Sequence, residues 1–339
     1  MARWWRVEVQ AVWMVRSRQI ARKLAFWLAA IGYNSRDRSL GHRVYLVYAL
    51  IFMSGWGFAV LSLFAGATAD LLNRLGFTPV NQAAAALSTL VLVAWALVLL
   101  WQVTHRSPLI FSEDDAYLIC QTPAPGSAVA LFWFLGDWFE PAAPFWAGAA
   151  TLGFALVENQ LNHKVTSLDF PLYIISGLRA LVIFGLLQLG LMALLWALGG
   201  ARLQRDRTLP WLPTLALAAI LAVGSGMLFA ISRQGLAGLA GSFWLVFLTP
   251  VIYAAQAAFG AAPFSGGLLV ALLLAGVGLL ALAWAGSGLN LSRAAQETVQ
   301  KEKADTARRY MQAERAREID LLGRLREGRA PTRLPGRSG

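Results

Sequence analysis

Four long runs without a charged side chain decide what this chain can become. They hold 26 residues between Arg43 and Asp70, 31 between Arg74 and Arg106, 22 between Arg179 and Arg202, and 25 between Arg207 and Arg233. A helix of about 20 apolar residues crosses a hydrocarbon layer about 30 Å thick, and inside lipid every backbone N–H and C=O must be satisfied within the protein. The runs therefore predict helical spans near 44–66, 83–104, 180–200 and 211–231. Composition agrees, with 58% apolar residues, 14% charged and a mean hydropathy of +0.56, where a soluble domain carries about 25% charged residues. The fold class expected is all-α, a polytopic integral membrane protein. A single cysteine, Cys120, excludes an internal disulfide framework and any multi-cysteine metal site, and says nothing of the redox compartment.

Two stretches need further argument. After Asp115 the next uncharged window contains Pro123, Pro125 and Gly126 and ends at Asp137 and Glu140, and the apolar run 128–135 alone is too short to cross. The third span is expected at 141–157, entered by a broken helix. Between Arg233 and Arg293 there is room for two crossings, or for one crossing and a re-entrant or interfacial piece. The positive-inside rule decides between them. With six spans and both termini inside, the inner segments carry 25 of the 29 cations, whereas a seventh crossing would export the 12 cations of residues 291–339. The segment 241–260, interrupted by Pro250, is therefore read as the re-entrant or interfacial element and 265–288 as the sixth span. Trp101, Trp196, Trp211 and Trp284 fall near the inner ends, where indole favours the headgroup zone.

Residues 1–42 are not a secretory signal, because Arg16, Arg18, Arg22 and Lys23 interrupt them and no clear cleavage site follows. Trp4, Trp5, Trp13, Phe26 and Trp27 interleave with arginines as in a basic amphipathic helix on the inner membrane surface, with a solvated basic leader as the plainer alternative. Catalytic signatures are missing. No lysine follows a glycine, so a phosphate loop of the G-x-x-x-x-G-K-[ST] kind cannot occur, and His42, His105 and His163 form no H-E-x-x-H pair. Neither a catalytic residue, a bound cofactor nor a metal is expected on this chain. Ionisable groups at membrane depth mark transport paths. The candidates Asp137, Glu140 and Arg179 lie near expected span ends, where side chains reaching headgroups or water are the commoner case. Gln188 could line a cavity. Gly55, Gly57, Gly185, Gly190, Gly224 and Gly226 fit close helix packing.

The most specific local signal is the segment His105 to Ser127. Ser112 followed by Glu113, Asp114 and Asp115 opens a short helix, since a hydroxyl caps free N–H groups and acids favour a first turn. Ala116, Tyr117, Leu118 and Ile119 continue it until Pro123 approaches. An acidic-headed helix among basic inner segments reads as a docking element; a capped turn that merely ties two spans together fits the same residues. The run L-I-F-S-E-D-D-A-Y-L-I-C-Q-T-P, Leu109 to Pro123, resembles the loop after the second span in a family of bacterial exporter permeases, the membrane subunits of ATP-binding-cassette transporters. The basic N-terminal helix, the six-span layout and the short basic loop between spans four and five resemble that family too, although only about 15 residues match a motif. The resemblance implies that Phe111, Ser112, Asp115, Leu118 and Pro123 belong to a surface coupled to an ATPase. Beside them, Glu113 and Asp114 suit a basic groove and Tyr117 lies in the same short helix. It further implies a separate ATPase subunit that binds ATP and Mg, a second permease unit, and residence in the bacterial cytoplasmic (inner) membrane with no nucleic-acid partner.

Residues 328–337, G-R-A-P-T-R-L-P-G-R, resemble the end of a polar linker between two six-span sets, so the chain is expected to be either a half-transporter or part of a longer permease. The tail 291–339, with a net charge of +5, keeps no heptad and reads as a solvated helix followed by a disordered end. Two other classes compete with the exporter: a membrane scaffold that binds partners through the charged tail, and a membrane-embedded lipid-modifying enzyme.

Overall fold

The computed structural model describes residues 2–30, 39–74, 79–109, 125–160, 170–204, 211–234 and 248–297, with a few positions up to 311. Among the described residues every regular element is a helix. In chain order these are α1 (Ala2–Ala30), α2 (Leu40–Arg74), α3 (Val80–His105), α4 (Gly126–Gln160), α5 (Phe170–Gln204), α6 (Trp211–Gln234), α7 (Thr249–Ala258) and α8 (Phe264–Ser287). A helical segment at 291–297 follows, opened by Asn290, whose side-chain oxygen accepts the Arg293 N–H at 3.1 Å.

Four of these helices, α2, α3, α5 and α8, are long and apolar enough to cross a membrane. A multi-pass membrane protein is the architecture they make. The expected third span is one element with the run before it, because α4 continues through Pro141 and Pro144 over 35 residues. Proline removes a helix hydrogen bond, but within a membrane bundle neighbouring helices and local adjustments can make good the loss. α7 is ten residues, about 15 Å at 1.5 Å per residue, which is half a hydrocarbon layer. It turns through Gly260, at φ 78°, into Pro263 and α8. Residues 241–247 of the expected re-entrant piece lie outside the described residues.

α5 is the hub. It packs on α8, α4, α3 and α7, and 56% of its apolar window is buried, against 6% for α2. Lipid tails are as apolar as leucine, so helices associate in a membrane through close packing and not through escape from water. Small residues supply that closeness. A Cβ on Gly190 of α5 would stand 2.8 Å from the backbone of Leu274 and Ala275 in α8, and one on Gly278 would stand 2.5 Å from the Gly190 carbonyl oxygen. α8 also meets α4 through Gly286 and Ala130, and α7 through Gly267 and Ala257. Gly55, Gly57 and Gly224 touch nothing of this kind. Around the hub lies a core containing Trp133, Phe134, Trp196 and Leu203. Trp196 is therefore an interior residue, edge-on to Phe134 at 5.4 Å, not a headgroup anchor. Trp284 is widely exposed.

Candidate functional site

Charged and polar side chains inside the bundle gather at two levels. The first lies on α4, about 16 Å along the helix from Gly126 at 1.5 Å per residue. Asp137 accepts a hydrogen bond from Arg16 of α1 at 2.5 Å, and the two side chains are 27% and 6% exposed. The same guanidinium donates to the Trp133 carbonyl at 3.2 Å and to Gln19 Oε1 at 2.5 Å, and sits 5.1 Å from the Trp133 ring. A desolvated cation gains from both the carboxylate and the ring face. Its Nε is buried without a partner. Room for this group exists because residue 136 is glycine, where a Cβ would collide with the Arg16 guanidinium. Val12 and Trp13 complete the seat, Val12 in the core and Trp13 at 5.5 Å from Phe132.

One residue further on, Trp138 donates its indole N–H to Gln188 Oε1 of α5. Gln188 is fully buried, and among the described residues its amide nitrogen reaches only the Met192 sulfur, at 3.7 Å. Trp146 packs edge-on to Trp138 at 5.3 Å, against Gly185 of α5, and its buried indole nitrogen has no partner among the described residues. This level thus combines one ion pair, an amide and two indoles where the helices are otherwise apolar. Buried donors left weakly bound mark the spot as energetically expensive.

The second level is the junction where the His105 end of α3 meets α5 and the segment 291–297. Arg202 donates to Glu297 at 2.8 Å and to the Thr104 carbonyl at 3.5 Å, while Arg293 stands 3.9 Å from the same carboxylate. Leu109 is 2% exposed in the core that also holds Leu203, Leu282 and Ala294. Gly126 lies against Gly286 and Leu289. Both flanks of the intervening loop are therefore seated in one packed junction.

The expected coupling residues Phe111, Ser112, Glu113, Asp114, Asp115, Tyr117, Leu118 and Pro123 all lie outside the described residues. Arg179, weighed as a transport residue, donates to the carbonyls of Ala257 at 2.8 Å and Ala262 at 3.2 Å, and faces the Phe264 ring at 5.1 Å. A cation at the last carbonyls of a helix meets groups with no intrahelical donor, so Arg179 fastens the α7 to α8 turn. Glu140 is exposed on α4. Sequence reasoning missed Arg16, Gly136, Trp138 and Trp146 as members of a cluster; the one signal was an aspartate in an apolar stretch, which calls for a counter-ion. Among the described residues no three His, Cys, Asp or Glu side chains approach closely enough to hold a metal ion. Comparison of the chain with family models, curated proteins and solved structures found no match.

Proposed function

We propose that this chain is the permease subunit of an ATP-driven exporter of the ATP-binding-cassette type, in a bacterial inner membrane. In this reading six spans, α2, α3, α4, α5, α6 and α8, place both termini in the cytoplasm. A separate ATPase holds ATP and Mg and docks on the loop 107–123, and a second six-span unit completes the pathway. The chain is not itself an enzyme in this scheme. The observation that carries the reading is the seating of that loop. Its flanks, Leu109 and Gly126, are fixed where α3, α4, α5, α8 and the segment 291–297 meet. A displacement applied between them enters the bundle at its hub, because interior packing transmits strain and does not absorb it. The cluster around Asp137 and Gln188 then lies along the same two helices that would move.

Two measurements test it. Cys120, the single cysteine, reports the side of the loop without engineering. A membrane-impermeant thiol reagent is expected to label it in inverted vesicles and not in intact cells, with Glu113→Cys in a Cys120→Ser chain as the backup if Cys120 is unreactive. Replacing Asp114 and Asp115 with lysine is expected to abolish nucleotide-driven transport and ATPase co-purification while membrane insertion persists. Labelling from outside, or unchanged co-purification, would remove the loop from the mechanism.

A further inference from the structure

Between α3, α4 and α5 the packing opens into a cavity of about 220 Å³. Leu87 and Val91 of α3, Phe145, Gly148 and Leu152 of α4, and Phe184 of α5 line it. No charged side chain does. Ser88 adds a hydroxyl, but that group already donates to the Ala84 carbonyl at 2.7 Å. Water needs two to four polar partners in a cavity and finds here only the Ser88 oxygen as an acceptor, so the space does not favour it. At 1.5 Å per residue Ser88 lies about 12 Å from the Val80 end of α3 and about 25 Å from the His105 end, well inside a hydrocarbon layer about 30 Å thick. The mouth opens sideways. Val91 is 47% exposed, and Pro144 and Gly148, one turn apart on α4, are exposed as well. What faces such a mouth in a membrane is lipid tail.

We propose that this cavity binds an acyl chain of a bilayer phospholipid, held as a wedge between α3 and α4. Left empty, its walls would forfeit dispersion contacts that close packing normally supplies. A dry cavity of about 150 Å³ takes one benzene molecule, so this one accommodates a run of several methylenes. With no charge or free donor at the lining, the site selects for the hydrocarbon and not for the headgroup. The proposal is independent of the transport reading.

Gly148 makes the test clean, because a Cβ built there meets nothing within 4 Å. A methyl at 148 therefore meets no protein atom at the cavity wall. The full chain is reconstituted in phosphatidylcholine vesicles doped with a phosphatidylcholine carrying a mid-chain diazirine, irradiated, and mapped by mass spectrometry. Adducts are expected on peptides bearing 87–91 and 144–152 in excess over the exposed face of α2. They are expected to fall in the order Gly148, Gly148→Ala, Gly148→Leu, reaching about a tenfold loss in the last, the size of effect an overpacked site produces. Gly55→Leu, also in open space, is expected to change nothing, and monodisperse elution of each variant shows that it folds. Equal labelling of the groove and of α2, or labelling indifferent to residue 148, would overturn the proposal. So would an unlabelled groove whose Gly148→Cys variants cross-link to each other, because the occupant would then be a second copy of the chain.

Discussion

Arg16 satisfies its charge through a carboxylate, a carbonyl, an amide oxygen and a ring face, three of them on one stretch of α4 and the amide on its own helix. Removing one partner of a buried ion pair leaves the other uncompensated, at a cost of about 3 kcal/mol or more, whereas replacing both with apolar groups is often neutral. Asp137→Ala is therefore expected to destabilise the protein by about that amount, read as a lower thermal midpoint in detergent, and the pair Arg16→Met with Asp137→Leu to recover most of it. Additive losses in the double variant would deny the coupling. Gly136→Leu is expected to expel the guanidinium and expose α1 to protease, with α4 itself intact. Trp138→Phe keeps an aromatic ring but removes the indole N–H and leaves Gln188 Oε1 without its donor, a loss of about 1–3 kcal/mol for a buried acceptor. At this scale the sequence marked Asp137 and Arg179 as ionisable groups near expected span ends, where reaching headgroups or water is the commoner case. It could not name their partners, because Arg16 and Asp137 are 121 residues apart and Trp138 and Gln188 are 50 apart, and no local spacing encodes such a meeting.

Helices were legible where charge bounded them. The run between Arg74 and Arg106 matches α3 to within a few residues, whereas α2 continues past Asp70 to Arg74 and α5 begins at Phe170, ten residues ahead of the expected span 180–200. α4 was not legible in the same way, since Asp137 and Glu140 cut the apolar run 128–135 short and placed the span at 141–157, whereas one continuous helix runs from Gly126 to Gln160. Gly190 was singled out for packing, and its place against α8 justifies that; Gly55 and Gly224, singled out on the same grounds, face open space. The distinction depends on which face of a helix meets the hub, which composition does not record. Gly190→Leu is expected to force α5 and α8 apart at a cost of about 1–3 kcal/mol, typical of overpacking. Cysteines introduced at 190 and 278 measure it from the other side: they are expected to be too crowded to leave the helices undisturbed, while Gly55→Leu has no effect on stability.

For the molecule as a whole, the tail matters through a few residues. Glu297 draws Arg202 and Arg293 together and so ties the segment 291–297 to the end of α5. Exposed pairs are worth little, but Arg202 is only 18% exposed and its Nε is already without a partner, so reversing the charge across it is costly. Glu297→Lys is expected to speed tryptic cleavage after Arg293 severalfold, with the spans protected; unchanged cleavage would show that the ion pair does not hold the segment. The sequence identified this tail as helix-prone and basic, yet gave no hint that an acid near its start faces back toward the bundle.

The clasp between α1 and α4 also imposes an order on how the polypeptide is made. When the ribosome has just released Arg16, its counter-charge is still 121 positions from being synthesised. Throughout that interval the Asp137 carboxylate does not exist, so α1 takes its seat against α4 only after the helix bearing Asp137 has been made.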